Sequence, residues 1–155
     1  MATAQHGSLD LDRIPSAKDL RVAIVVSKWN TSITDNLYQG AVEVLENKGC
    51  TQLQRIDVSG SFELIYGCKQ ALDAGFDAII ALGSVIRGET AHFDYVCQAV
   101  STGIKDLNLL GISPVIFGVL TDDTVEQARA RSGGSLGNKG AEAAAAAIEM
   151  AQLSI

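Results

Sequence analysis

A short apolar run followed by a longer segment of helical periodicity recurs four times in this chain, and no other feature restricts the fold as much. The apolar runs are Arg21 to Ser27, Leu53 to Val58, Ala78 to Ile86, and a segment opened by Pro114 and reaching Leu120. After the first, Ile33, Leu37, Ala41, Val44, Leu45 and Lys48 repeat at helical spacing. Asn30, Thr31 or Ser32 is available as a cap there, and Gly49 as a stop. Phe62 to Ala74 and about Ala91 to Asn108 read as the next two helices, stopped at Gly75 and near Gly111. A fourth helix, capped by Thr121, Asp122 or Asp123, runs to about Arg131. A glycine-rich linker, Ser132 to Gly140, leads to an alanine-rich helix over Ala141 to Leu153. Strands that alternate with helices require crossover connections and a parallel sheet covered on both faces. The expectation is an α/β sandwich of three layers around a central four-stranded parallel sheet. The third strand is almost wholly apolar and reads as central, whereas the second alternates and reads as half exposed.

Length and composition narrow this further. A chain of 155 residues has room for one domain, read here as residues 20–155 preceded by an N-terminal extension over 1–19. Apolar residues make up 47% but charged residues only 19%, against about 25% in a typical soluble domain. Either the surface is unusually apolar, or part of it is buried against other copies. The apolar runs fall far short of the ~20 residues a bilayer span needs, and Met1 to Leu11 lacks the pattern of a secretory signal, so a cytoplasmic protein is expected. Acidic residues outnumber basic ones by 18 to 12, which disfavours nucleic acid as a partner. Cys50, Cys68 and Cys97 show no Cys-x-x-Cys spacing and read as reduced structural thiols. With His6 and His92 as the only histidines, no metal site is expected. No dinucleotide fingerprint, phosphate loop, serine-nucleophile elbow or catalytic carboxylate pair is present.

In open parallel sheets, ligands bind beyond the carboxyl ends of the strands, and the segments at those positions have unusual compositions. Trp29, the only tryptophan, follows the first strand. It reads either as an apolar staple for the next helix or as a platform for a planar ring, with Asn30 as an amide reader beside it. Glu63 after the second strand suits a helix start, and with Phe62 at a cleft mouth it also suits a polyol. Gly88, Glu89 and Thr90 precede a helix whose free N–H groups could hold a phosphate. His92 follows within reach, either as a satisfied structural group or as a proton carrier near neutrality.

Together these segments resemble the lumazine synthase family over roughly Leu20 to Leu153. The resemblance rests on Lys28-Trp29-Asn30, Gly60-Ser61-Phe62-Glu63, Gly83 to Val96, Phe117 to Thr121, and Gly137-Asn138-Lys139-Gly140. It implies a flavodoxin-like fold and condensation of 5-amino-6-(D-ribitylamino)uracil with 3,4-dihydroxy-2-butanone 4-phosphate. The product would be 6,7-dimethyl-8-ribityllumazine, with phosphate and water released and no cofactor or metal required. It further implies that Trp29 stacks on the pyrimidine, Asn30 reads its polar atoms, and Val85 and Ile86 line the ring pocket. Ser61, Phe62 and Glu63 would hold the ribityl chain and ring edge, and Glu89 and Thr90 would bind phosphate. His92 would move protons, while Phe117, Arg131 and Lys139 would complete the site from a neighbouring subunit, Arg131 as phosphate clamp. The assembly implied is a homo-oligomer: a pentamer, a pair of pentamers or a pentamer-based icosahedral shell. Two positions depart from the family's usual pattern: Ser59 stands where proline is usual, and Trp29 where phenylalanine is frequent. A non-catalytic flavin-binding or shell-forming protein on the same scaffold is the alternative. It would have no use for His92, Arg131 and the Gly88-Glu89-Thr90 segment.

Overall fold

The computed structural model describes residues 9–155; His6 lies outside them. Its β1 (Arg21–Ser27), β2 (Gln52–Val58), β3 (Ala78–Ile86) and β4 (Val115–Asp122) form one parallel sheet in the order β2-β1-β3-β4. The register places Val22 beside Leu53 and Ala78, and Ile80 beside Ile116. β3 has neighbours on both sides and is buried from Ala78 to Ser84, which accounts for its unbroken apolar sequence. β2 lies at an edge and alternates between exposed and half-buried positions, as its pattern predicts.

Successive strand residues face opposite sides, so each interior strand feeds two cores. Val22, Ile24 and Val26 pack with Ile80 and Leu82 under α1 (Thr31–Asn47) and α5 (Lys139–Ala151). Ala23, Val25, Ile79 and Ala81 pack under α2 (Leu64–Asp73) and α3 (His92–Leu109). The result is the expected three-layer flavodoxin-like sandwich. Each fully buried leucine or isoleucine in these layers contributes roughly 1.5–3 kcal/mol. Ile14 and Ala17 also pack into the α1 and α5 side, and the Ala17 N–H donates to the Lys48 carbonyl at 2.8 Å.

Two local expectations are corrected. The short helix α4 (Val125–Arg131) is capped by Thr124 rather than by residues 121–123. β4 continues through Asp122, and Thr124 forms a reciprocal box with Gln127. The glycine-rich linker contains an antiparallel hairpin, β5 (Ser132–Gly134) and β6 (Gly137–Asn138). α5 therefore begins at Lys139, two residues earlier than expected. Asn138 caps it by accepting from the Gly140 and Ala141 N–H groups at 2.8 and 3.2 Å.

Candidate active site

At the tip of β1 the chain turns from strand to helix within a few residues. The Ser27 hydroxyl accepts from the Trp29 N–H at 3.2 Å, and Thr34 donates its hydroxyl to the Ser27 carbonyl at 2.9 Å. Asn30 adopts a left-handed conformation with φ 59°, which asparagine tolerates better than most residues. Its Nδ2 donates across to the Ser84 carbonyl on β3 at 2.9 Å. This turn leaves Trp29 70% exposed. A staple would be packed against its helix, and Trp29 is not.

At the end of β3, Gly83 leaves the room that the next loop needs. A Cβ there would come within 2.7 Å of Ser61 Oγ and 3.0 Å of Leu64. Ser61 is therefore buried against the strand, while Phe62 and Glu63 project outward just before α2. Beyond Arg87 the segment Gly88 to Ala91 is exposed, and His92 is the first residue of α3. The buried Phe93 ring anchors the helix start.

These tips enclose a cleft of about 520 Å³. Trp29, Ser61, Phe62, Glu63, Val85, Ile86, Thr90 and His92 all line it, so one cleft gathers eight of the thirteen candidate residues. Asn30 and Glu89 do not line it; the Asn30 amide is engaged by Ser84, and Glu89 is exposed on the loop. Residues outside the expected set also contribute, namely Gly60, Ser84, Gly88, Phe93 and Val96. Ser84 Oγ is buried there with no hydrogen-bond partner among the described residues, a costly condition that a ligand or ordered water would relieve.

Phe117, Arg131 and Lys139 line a different cleft of about 860 Å³, beside β4, α4 and the start of α5. No residue is shared between the two clefts. Asp122 lies in this second cleft, with Oδ2 buried and without a hydrogen-bond partner among the described residues. Burial pushes the Asp122 carboxyl up, nearby Arg131 opposes that shift, and Asp123 adds to it. Lys139 pairs with Glu142 at 3.2 Å. Two close approaches to α1 locate this second cleft. Asn138 Nδ2 donates to the Asn36 carbonyl at 2.9 Å, and a Cβ on Gly140 would lie 1.8 Å from the Leu37 carbonyl oxygen. The Gly-Asn-Lys-Gly motif is thus a docking device that fixes where Lys139 emerges. Sequence reasoning gave Asn138 and Gly140 no such role, because their partners lie about a hundred residues away.

The thiols are poor nucleophiles. Burial pushes Cys68 up to about 12 and also raises Cys50 and Cys97. Among the described residues, no group of three or more His, Cys, Asp or Glu side chains is placed to hold a metal ion, and no helix is long and apolar enough to cross a membrane.

The family model described as 6,7-dimethyl-8-ribityllumazine synthase matches residues 19–154. Relatives of that name include a protein of Christiangramia forsetii, 57% identical over 93% of this chain and 88% of its own length. One of Flavobacterium johnsoniae is 52% identical, covering 99% of this chain and 83% of the relative. One of Porphyromonas gingivalis is 48% identical over 99% of this chain and 98% of the relative.

Proposed function

This chain belongs to the 6,7-dimethyl-8-ribityllumazine synthase family, and we propose that it catalyses that condensation in a site built from two copies of itself. The observation that carries the reading is the division of eleven of the thirteen candidate residues between two clefts with no residue in common. One copy supplies the ring platform and the proton carrier. The neighbouring copy supplies Phe117 as a closing wall and Arg131 with Lys139 as cations for the phosphate.

The substrates are 5-amino-6-(D-ribitylamino)uracil and 3,4-dihydroxy-2-butanone 4-phosphate. Trp29 offers its exposed face to the pyrimidine, between the Val85 and Ile86 side of the cleft and Phe117 of the second copy. Ser61 and Glu63 present acceptors and donors to the ribityl hydroxyls, with Phe62 against the chain. The N–H groups of Gly88 to Thr90 and the start of α3 face the phosphate, with Glu89 contributing through its backbone. The Arg131 guanidinium supplies a planar fork matched to phosphate oxygens.

The 5-amino group attacks the ketone, and the carbinolamine loses water to give an imine. Removal of the proton on C3, next to the imine, expels phosphate from C4, and the enol so formed tautomerises to a carbonyl at C3 with C4 as a methyl group. The ribityl-bearing nitrogen attacks this new carbonyl, and a second water is lost as the ring closes. Every step moves a proton, to or from nitrogen, oxygen or, in the phosphate elimination and tautomerisation, carbon, and an imidazole at position 92 with bound water can carry it. Holding both reactants in one enclosed site removes much of the entropic barrier.

Exposed apolar side chains flank this half-site on the α2 and α3 layer, including Phe62, Tyr66 and Tyr95. Their burial against a neighbour accounts for the excess of apolar over charged residues. The proposed assembly is a pentamer or a pentamer-based shell of cytoplasmic protein, each subunit a single catalytic domain over residues 20–155 with an extension over 1–19. Purified protein mixed with both substrates is expected to accelerate lumazine and phosphate formation together, and His92→Ala to slow turnover by about 100-fold without abolishing it. No acceleration over the uncatalysed mixture would refute the reaction, and unchanged turnover in His92→Ala would remove that residue from it. Sedimentation of a monomer at micromolar concentration would refute the shared site.

A further inference from the structure

Arg87 is the first residue past β3, and its contacts reach both ends of the loop that carries the proposed phosphate donors and His92. Its N–H donates to the Asp122 carbonyl at 2.9 Å, extending the pairing with β4 by one residue. Its Nε donates to Asp123 at 2.8 Å, and its Nη1 to Asp94 in the first turn of α3 at 3.2 Å. The guanidinium carbon lies 4.2 Å from the centroid of the Phe93 ring. One side chain thus joins the end of β4 to the start of α3, on either side of residues 88–91.

The loop itself has little to hold it. Nothing lies within 4 Å of a Cβ built on Gly88, and Thr90 Oγ1 accepts from the His92 N–H at a long 3.4 Å. Exposed ion pairs add little to stability, so the value of this arrangement lies in its geometry. A planar fork stacked on a buried ring and paired on two edges has few ways to move. Arg87 is also poorly suited to bind substrate directly, since two carboxylates already oppose its charge and it does not line the cleft.

We propose that Arg87 is a positioning residue for the condensation, holding Gly88, Thr90 and His92 where the ketose phosphate must bind. The proposal deepens the reading above and rests on it. In Arg87→Met, KM for the ketose phosphate is expected to rise about 10-fold by misplacement of Gly88 and Thr90, with kcat also falling as His92 shifts. KM for the ribitylaminouracil should change less than about 2-fold, because Trp29, Ser61 and Glu63 stand on other segments. Asp94→Asn combined with Asp123→Asn removes both carboxylate charges at nearly constant shape and should reproduce the same split. Adding Arg87→Met to that pair should then cost little more.

Wild-type kinetics in Arg87→Met, or an equal rise in both KM values, would overturn the proposal. If Arg87→Met fails to fold, the two asparagine substitutions decide by the same criterion. A wild-type protein that forms no lumazine would instead overturn the reaction itself, so the two failures are distinguishable.

Discussion

The cleft at the tips of β1 and β3 and the cleft beside β4 are built in different ways. In the first, each functional side chain follows directly from the strand that ends beneath it. Ser27, Thr34 and Asn30 form a turn within eight residues that throws Trp29 outward, and Gly83 makes room for Ser61. In the second, Lys139 sits at the start of a helix, and Arg131 closes the short α4 just before the hairpin. That helix start is located by α1, through Asn138 on the Asn36 carbonyl and Gly140 against Leu37. Local turns aim the side chains of the first cleft, proposed to bind the ring, whereas packing between distant elements aims those of the second, proposed to supply the cations. The two halves should therefore fail differently when perturbed.

The largest expected effect lies in the cation-bearing half. Arg131→Ala leaves a phosphate without its fork, and kcat/KM for the ketose phosphate should fall about 1000-fold, within the range for truncating one partner of a desolvated charge pair. Steady-state kinetics should show KM for the ribitylaminouracil nearly unchanged. A comparable rise in both KM values would break the division of labour. Trp29→Ala is the counterpart in the ring-binding half. Loss of one stacking face should raise KM for the ribitylaminouracil about 10-fold while leaving the phosphate substrate untouched.

Asn138→Ala tests the long-range aiming. It deletes the α5 cap and the bond to Asn36, and chemical denaturation should show a loss of about 2 kcal/mol. Its kinetic penalty should fall on the ketose phosphate alone, because only the Lys139 and Arg131 half rests on it. The smallest effect belongs to Asp122. Its folded carboxyl is pushed above the ordinary value, chiefly by burial, so the folded state holds that proton to higher pH than the unfolded chain does. Stability from this group is fully present at low pH, where both states are protonated, and declines as pH rises from the ordinary carboxyl value through the raised one. Asp122→Asn should therefore raise the melting midpoint at neutral pH, with the gain vanishing below the carboxyl range. A gain independent of pH would point to packing instead of charge.

The same difference in construction governs what could be read from the sequence. The strands, the edge position of β2 and five residues of the first cleft, Trp29, Phe62, Glu63, Thr90 and His92, follow from periodicity and from the rule that ligands sit at strand carboxyl ends, whereas Ser61, Val85 and Ile86 entered through the family resemblance. Trp29 and His92 were visible because each is chemically out of place at such a tip. The capping box of Thr124 and Gln127 was also legible as Thr-x-x-Gln, but the acidic residues just before it competed as caps. The β5 and β6 hairpin was not legible, since strands of three and two residues carry no period. The bond from Asn30 to Ser84 crosses 54 positions, and that from Asn138 to Asn36 crosses 102. Nothing local announces either. Phe117, Arg131 and Lys139 entered only through the family resemblance, because each depends on packing that one segment does not encode.

The shared site is tested most directly by subunit complementation. His92→Ala chains and Arg131→Ala chains are each expected to be nearly inactive as separate assemblies. Co-assembled at equal amounts, they should recover about a quarter of wild-type turnover, because random neighbours place an intact His92 beside an intact Arg131 at that frequency. A mixture no more active than the two variants assayed apart would contradict the account, and would return both residues to a site within one chain.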